Sequence, residues 1–389
     1  MRPQLRRSLR ITATAALPAV MFAATTARAG AQSLPRPRPP RQSQQSVFVQ
    51  TNSPAGNQID VFAARRDGQL SLSQTVSTGG VGGQTADSGT DHLASQDSLV
   101  YDSNRQLLFA VNAGSNTLSV LSLQPHHLRL VQVLSSGGAF PVSVAVHGDF
   151  VYVLNAAGAG SVSGFRILGD RLASLPGSTR SLNLANTTPP VFLTSPGEVG
   201  FTPDGSKLIV TTKNSTNSLD VFAVSRFGYL SRVPTVTADG SNIPFAFVYT
   251  PSGQLVVAEA AASALHSFSF GPGETLTSLG ASVPDKQIAL CWVATAGPYY
   301  YVANAGSANV SAYTIAADGT PSLLNGTGIP TATSVGPIDL AASHNGRFLY
   351  VESGSAGTVN EFRVNADGSL GDLGTVDGLG IGIEGIATS

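Results

Sequence analysis

Glu198, Glu259 and Asp339 are three carboxylates that a repeated pattern in this 389-residue chain gathers on one rim. Carboxylates gathered at one mouth repel one another. At least one should then hold its proton to higher pH than usual and could act as a general acid or base. Lys213, Glu352, Asn112, Asn155, Asn304 and His92 add charge and hydrogen-bonding groups for a small polar ligand. Other chemistries find little support. The six His are scattered without zinc-ligand spacing, and no Asp-rich loop announces calcium, so no metal or other cofactor is read from the sequence. Ser195-Pro196-Gly197 lacks a nucleophile-elbow pattern. Cys291, the single cysteine, reads as core packing beside Trp292.

The elements that must position these residues form a repeat. Residues 107–123, 150–167 and 299–315 each show an apolar strand, an Asn-Ala-Gly-type turn and a second, alternating strand. Residues 46–64, 207–224, 254–270 and 348–364 are weaker copies, giving seven. Most are preceded by a short strand and followed by an Asp-Gly or Gly-Asp turn and a fourth strand, where Gly supplies the positive φ of a tight hairpin. The first copy lacks a preceding strand, but Gly385-Ile386-Ala387-Thr388-Ser389 matches the missing piece. The pattern predicts an all-β, seven-bladed β-propeller of four-stranded blades, closed by the C-terminal strand in the first blade. The aligned inner-strand residues Ser98, Ser143, Glu198, Ala246, Cys291, Asp339 and Gly385 are spaced by about 48 residues, a propeller period.

This architecture sorts the candidates. Inner strands begin on one face, called upper here, and the second strands return to it. Glu198 and Asp339 therefore belong to one ring. Thr51, Asn112, Asn155, Lys213, Glu259, Asn304 and Glu352 form a second layer at the ends of the second strands. The longest polar insertion, 77–97, joins blade 1 to blade 2 on this face and reads as a lid or rim. Asp91 and His92 lie in it, where a lone His is usually solvated.

The ends of the chain read differently. Residues 1–29 resemble a secretory signal, with Arg2, Arg6, Arg7 and Arg10, an Ala-rich stretch and Ala27-Arg28-Ala29 at the cleavage point. The mature protein is then expected to be extracytoplasmic. Residues 30–45 are rich in Pro, Arg and Gln and suit a disordered linker before the propeller at 46–389. Residues 1–45 carry eight Arg and no acid, leaving 14 basic against 23 acidic groups beyond them. That balance argues against nucleic acid as a partner. No apolar run beyond residue 40 is long enough to span a bilayer. A monomer is expected.

PDGSKLIVTTK, NGRFLYVESG, FVYVLNAAGAGSVSGF and NAGSNTLSVLSL resemble the lactonase-type propellers, the superfamily of 6-phosphogluconolactonase and carboxymuconate cyclase. QIALCWVAT and VVAEA resemble a secreted lactonase-like subgroup. The resemblance implies a lactone or sugar acid as ligand and, if the chain is an enzyme, lactone hydrolysis. It also implies His and Arg near inner-strand starts, where this chain has Pro141-Val142-Ser143, Pro244-Phe245-Ala246 and Pro337-Ile338-Asp339. Glu259 matches a carboxylate that the superfamily often carries after the second strand. A non-catalytic propeller that serves as a scaffold for a protein or a cell surface is the alternative.

Overall fold

The computed structural model describes residues 45–125, 127–240 and 242–389. The expected signal and nearly all of the linker lie outside them. The described chain folds into seven antiparallel sheets, as the repeat predicts, and each is one blade. In blades 2 to 7 the strands run outward in sequence order from the inner strands Leu99–Asp102, Pro141–His147, Glu198–Phe201, Pro244–Tyr249, Leu290–Ala296 and Pro337–Ala342. Blade 1 takes its inner strand, Ile386–Thr388, from the C-terminus; it pairs antiparallel with Ser46–Gln50. Blades 3, 5 and 6 split the outer strand into two short pieces. No helix among the described residues is long and apolar enough to cross a membrane.

Second strands such as Leu107–Asn112 and Phe348–Ser353 are apolar almost throughout and buried along their whole length. They lie inside the sheets with neighbouring blades on both faces, so a continuous apolar run is what burial selects. Outer strands such as Leu70–Ser77 keep solvent on one side and stay mixed. The Asp-Gly hairpins also hold blades together. The hydroxyls of Tyr301 and Tyr350 donate to the carbonyls of Gly368 (2.8 Å) and Gly68 (3.0 Å) in the next blade. Those glycines have φ of 82° and 98°, and a Cβ there would run into the rings of Tyr299 and Phe348. Only glycine meets both demands.

The inner strands share one burial gradient. Each is buried where it begins, and in all but blade 2 and blade 6 only its last residues are half-exposed; those two are half-exposed just before a buried final residue. The upper end of the channel is therefore sealed, and exposure grows toward the lower end.

Candidate functional site

The seal is the insertion at 77–97. Sequence reading made it a lid or rim; instead its last residues enter the channel and bond to the strands around it. Leu93 and Ala94 are wholly buried. The Ser95 hydroxyl donates to the Val142 carbonyl (2.8 Å), and the Trp292 indole donates to the Ser95 carbonyl (3.1 Å). The Gln96 amide both donates to and accepts from the backbone of Val293, at 3.1 and 3.0 Å. The Val144 N–H donates to the Asp97 carbonyl (2.9 Å). Blades 3 and 6 thus grip the plug by backbone groups that strand starts leave free.

Lys213 anchors it. Its ammonium donates to the Ala94 carbonyl at 2.5 Å and lies 4.6 Å from the rings of both Phe192 and Phe245. Burial lowers its pKa to about 8 against the opposing pull of Asp91. Asp91 is buried too, not solvated as a loop residue should be, and accepts from the Ala94 N–H. Its carboxyl meets that of Glu384, which accepts from the His92 N–H at 2.8 Å. Burial raises both acids, and their contact lowers Asp91 while raising Glu384 further.

Glu198, Asp339 and Glu352 lie in the same covered ring, but they are not open to ligand from above. Each accepts a backbone N–H, and all three bonds cross a blade boundary. Glu198 takes the N–H of Phe247 (2.7 Å), Glu352 that of Gly385 (3.0 Å) and Asp339 that of Ile386 (3.3 Å). Burial raises all three pKa values well above the ordinary range; Asp97 adds to this at Glu198 and Asp339, and Asp339 adds to it at Glu352. Asp97 itself is raised to about 7 by burial.

The second layer does not converge. In each hairpin the last paired residue before the turn is Asn112, Asn155, Glu259 or Asn304, facing Thr117, Ser161, Ala264 or Asn309. Glu352 is one place earlier, since Ser353 faces Thr358, and Lys213 lies beyond the strand that ends at Thr211. In a strand one place reverses the side-chain face. Glu352 and Lys213 accordingly reach the channel. Asn112, Asn155 and Asn304 each donate within their own blades, Asn112 to Ser119 (2.8 Å), Asn304 to Ser311 (3.0 Å) and Asn155 to Ser161 (3.5 Å), and Asn112 also accepts from Asn57 of blade 1 (3.0 Å). Glu259 follows their pattern. It meets the Nδ1 of His266 at 2.5 Å and accepts from Asn242 (3.2 Å), away from Glu198 and Asp339. His266 loses basicity to burial but gains more from Asp239 and Glu259, and its pKa rises to about 9.

Two cavities among the described residues are of a size for small molecules. One, of about 340 Å³, lies on the upper rim between Thr51, Gln58, Gln84, half-buried His92 and Ile381. Burial lowers the His92 pKa. The other, of about 350 Å³, is the channel itself, lined by Val146, Phe201, Phe247, Tyr249 and Thr295, with Asp97 from the end of the plug and Glu198 from a strand start. Tyr249 has no partner for its buried hydroxyl among the described residues. Sequence reading missed Asp97 and Glu384, which lie in connections outside the repeat.

The fold is a seven-bladed β-propeller, and part of the chain carries the likeness to the lactonase-type propellers that the blade phrases implied. Residues 54–171 match the model of the family described as lactonase, 7-bladed beta-propeller. A Lactobacillus plantarum protein superposes with a TM-score of 0.72 at 16% identity, covering 90% of this chain and 100% of its own. Pseudomonas aeruginosa periplasmic gluconolactonase does so with a TM-score of 0.68 at 15% identity, covering 89% and 99%. A Bacteroides fragilis protein, provisionally assigned as a 6-phosphogluconolactonase, reaches 0.69 at 16% identity, covering 90% and 99%. At such identities the likeness is one of fold. No curated protein matches the sequence.

Proposed function

We propose that this protein binds a small lactone in the lower channel cavity and hydrolyses it with Asp97 as base and Glu198 as acid. The observation that carries the reading is the placement of two neighbouring carboxyls along one small cavity, Asp97 at the end of the plug and Glu198 at a strand start, with unequal proton affinities. Asp97, near 7, is partly ionised at neutral pH; burial and the neighbouring Asp97 raise Glu198 well above its usual value, which favours it as the proton donor. Environments that separate two carboxyls in this way assign the base and the acid. Asp97 takes a proton from a water as its oxygen attacks the lactone carbonyl. Glu198 gives its proton to the ring oxygen as the acyl–oxygen bond breaks, and the product is the hydroxy acid. A cavity of about 350 Å³ suits a ligand of that size. The match to the lactonase family and the gluconolactonase among the similar structures support the substrate class. The basic start and Ala27-Arg28-Ala29 support export, with a mature chain beginning near Gly30.

The test is a panel of five- and six-membered lactones, sugar lactones included, against the purified protein. Asp97→Asn and Glu198→Gln should each lower kcat by about 100-fold or more while the fold is kept. An inert panel, or two variants as active as the parent, overturns the catalytic reading. The scaffold reading has its own support: Ile288, Val335 and Ile381 are exposed in the linkers entering blades 6, 7 and 1. It is the reading left standing by an inert panel.

A further inference from the structure

Blade 5 departs from its sister blades at one repeated position. In blade 2 a residue of the entering linker, the last of the second strand and one on the third strand form a closed neutral trio. The Thr78 hydroxyl donates to Asn112 (2.6 Å), Asn112 to Ser119 (2.8 Å) and Ser119 back to the Thr78 carbonyl (2.7 Å). Blade 3 places Ser136, Asn155 and Ser163 there, and blade 6 places Asp285, Asn304 and Ser311. The corresponding trio in blade 5 is Asp239, Glu259 and His266. Blade 6 shares the linker acid, so what sets blade 5 apart is a second acid and an imidazole where these sister blades carry an amide and a hydroxyl, and that pair answers some other demand.

Their geometry indicates what it is. One donor atom from each lies within 4.8 Å of the other two. Both carboxylates face the Nδ1 of His266, Glu259 at 2.5 Å and Asp239 at 3.8 Å. The other ring nitrogen, Nε2, lies 3.1 Å from the Gly280 carbonyl, which can only accept. Nε2 therefore carries a proton, and with Nδ1 held against the two carboxylates the ring rests as the imidazolium, so a metal would bind by displacing the Nδ1 proton while the Gly280 bond keeps Nε2–H in place. The same bond sets aside a serine–histidine relay through Ser278, whose hydroxyl is 2.7 Å from Nε2 but itself donates to Gly280. Glu259 is fully buried and Asp239 nearly so, and the second oxygen of each has no partner among the described residues. Unpaired buried carboxylate oxygens are costly, and a divalent cation would balance the two charges.

We propose that Asp239, Glu259 and His266 form a binding site for a divalent transition-metal ion of the zinc class. One imidazole nitrogen with two carboxylate oxygens suits zinc, manganese or cobalt better than calcium, which takes oxygens only. Zinc bonds of about 2.0–2.2 Å set neighbouring ligands roughly 3.4 Å apart. The ion would enter by opening the Nδ1–Oε1 contact and drawing Asp239 inward. The site lies in blade 5, and the proposal does not depend on lactone hydrolysis.

The experiment is metal uptake by the chelator-treated full-length protein, followed by calorimetry with Zn²⁺ and by visible absorption with Co²⁺. One ion per chain is expected, with cobalt bands of a low-coordinate nitrogen–oxygen site and little uptake of Ca²⁺. Partners behind metal ligands are worth about 10–100-fold in affinity, so His266→Ala or Glu259→Gln should cost roughly 100-fold or more. His92→Ala should bind like the parent. Asp239→Asn, which keeps the shape of the side chain, serves if either stronger variant fails to fold. No stoichiometric uptake by the parent overturns the site. So does uptake that persists in folded His266→Ala or Asp239→Asn protein, and so does a clear preference for Ca²⁺.

Discussion

The two ends of the channel are made by the same inner strands and have opposite characters. At the upper end Glu198, Asp339 and Glu352 each clamp a backbone N–H of the next blade, and residues 91–97 cover them. Toward the lower end Val146, Phe201 and Tyr249 line a cavity and bind no neighbouring backbone through their side chains. A polar residue at a strand start meets unpaired backbone groups across a blade seam, and those groups claim it first. Polar residues in a propeller channel are therefore not equivalent. The free ones are those that no seam has taken, and in this channel those include Asp97, the Tyr249 hydroxyl and the Glu198 oxygen that does not meet Phe247.

The sharpest way to break the comparison is to remove the strand that two of the clamps hold. Deleting Ile383–Ser389 strips blade 1 of its inner strand and leaves Glu352 and Asp339 without the N–H groups of Gly385 and Ile386. It also exposes the edge of Ser46–Gln50, an invitation to aggregate. The truncated protein should lose cooperative unfolding or melt more than about 10 °C lower, since even 1 kcal/mol moves the midpoint of a large domain by about 2–4 °C. A truncated protein that melts with the parent would show that the seam does not hold the ring.

What the sequence disclosed follows the same division. The blades were legible because hairpin glycines and apolar second strands recur, and the C-terminal strand because Gly385-Ile386-Ala387-Thr388-Ser389 repeats the Asp339-Leu340-Ala341-Ala342-Ser343 pattern. The ring of Glu198 and Asp339 was legible for that reason as well. The layer of Asn112, Asn155, Glu259 and Asn304 was placed at the right height but on the wrong face. Alignment by eye does not resolve a one-residue offset, and one residue decides which way a strand residue points. Asp91, Asp97 and Glu384 lie in aperiodic connections, where no repeat could fix their depth. The only hint was a long polar insertion holding three acids. The Asp239, Glu259 and His266 cluster was invisible to spacing because its members come from a linker and two strands.

Lys213 tests whether the upper seal is held by charge or by packing alone. Lys213→Met keeps length and apolar bulk against Phe192 and Phe245 but removes the donor to the Ala94 carbonyl. Hydrogen bonds from charged groups contribute about 1.5–3 kcal/mol, so a loss of roughly 2 kcal/mol is expected. Limited proteolysis should begin to cut within residues 77–97. If stability falls and the insertion stays resistant, the plug is held by its backbone bonds to blades 3 and 6, and the role given to Lys213 is wrong.

The prediction most specific to Asp97 is read as a slope against pH. Its pKa is about 7 in the folded chain, against an ordinary value of 3.8. Below about pH 4 both folded and unfolded chains keep this proton. Between about 4 and 7 the folded chain binds it and the unfolded chain does not, so stability falls as pH rises, and above 7 the fall levels off. One group contributes at most about 1.4 kcal/mol per pH unit across that window. Glu198, Asp339 and Glu352 are raised in the same direction and extend the decline to higher pH. Asp97→Asn holds the shape and cannot ionise, so its curve of stability against pH should be shallower between 4 and 7 and parallel to the parent's above. Urea unfolding at half-unit pH steps reads the difference. A variant whose slope equals the parent's over that window would show that Asp97 titrates as an ordinary surface acid, and the lower cavity would then have no base.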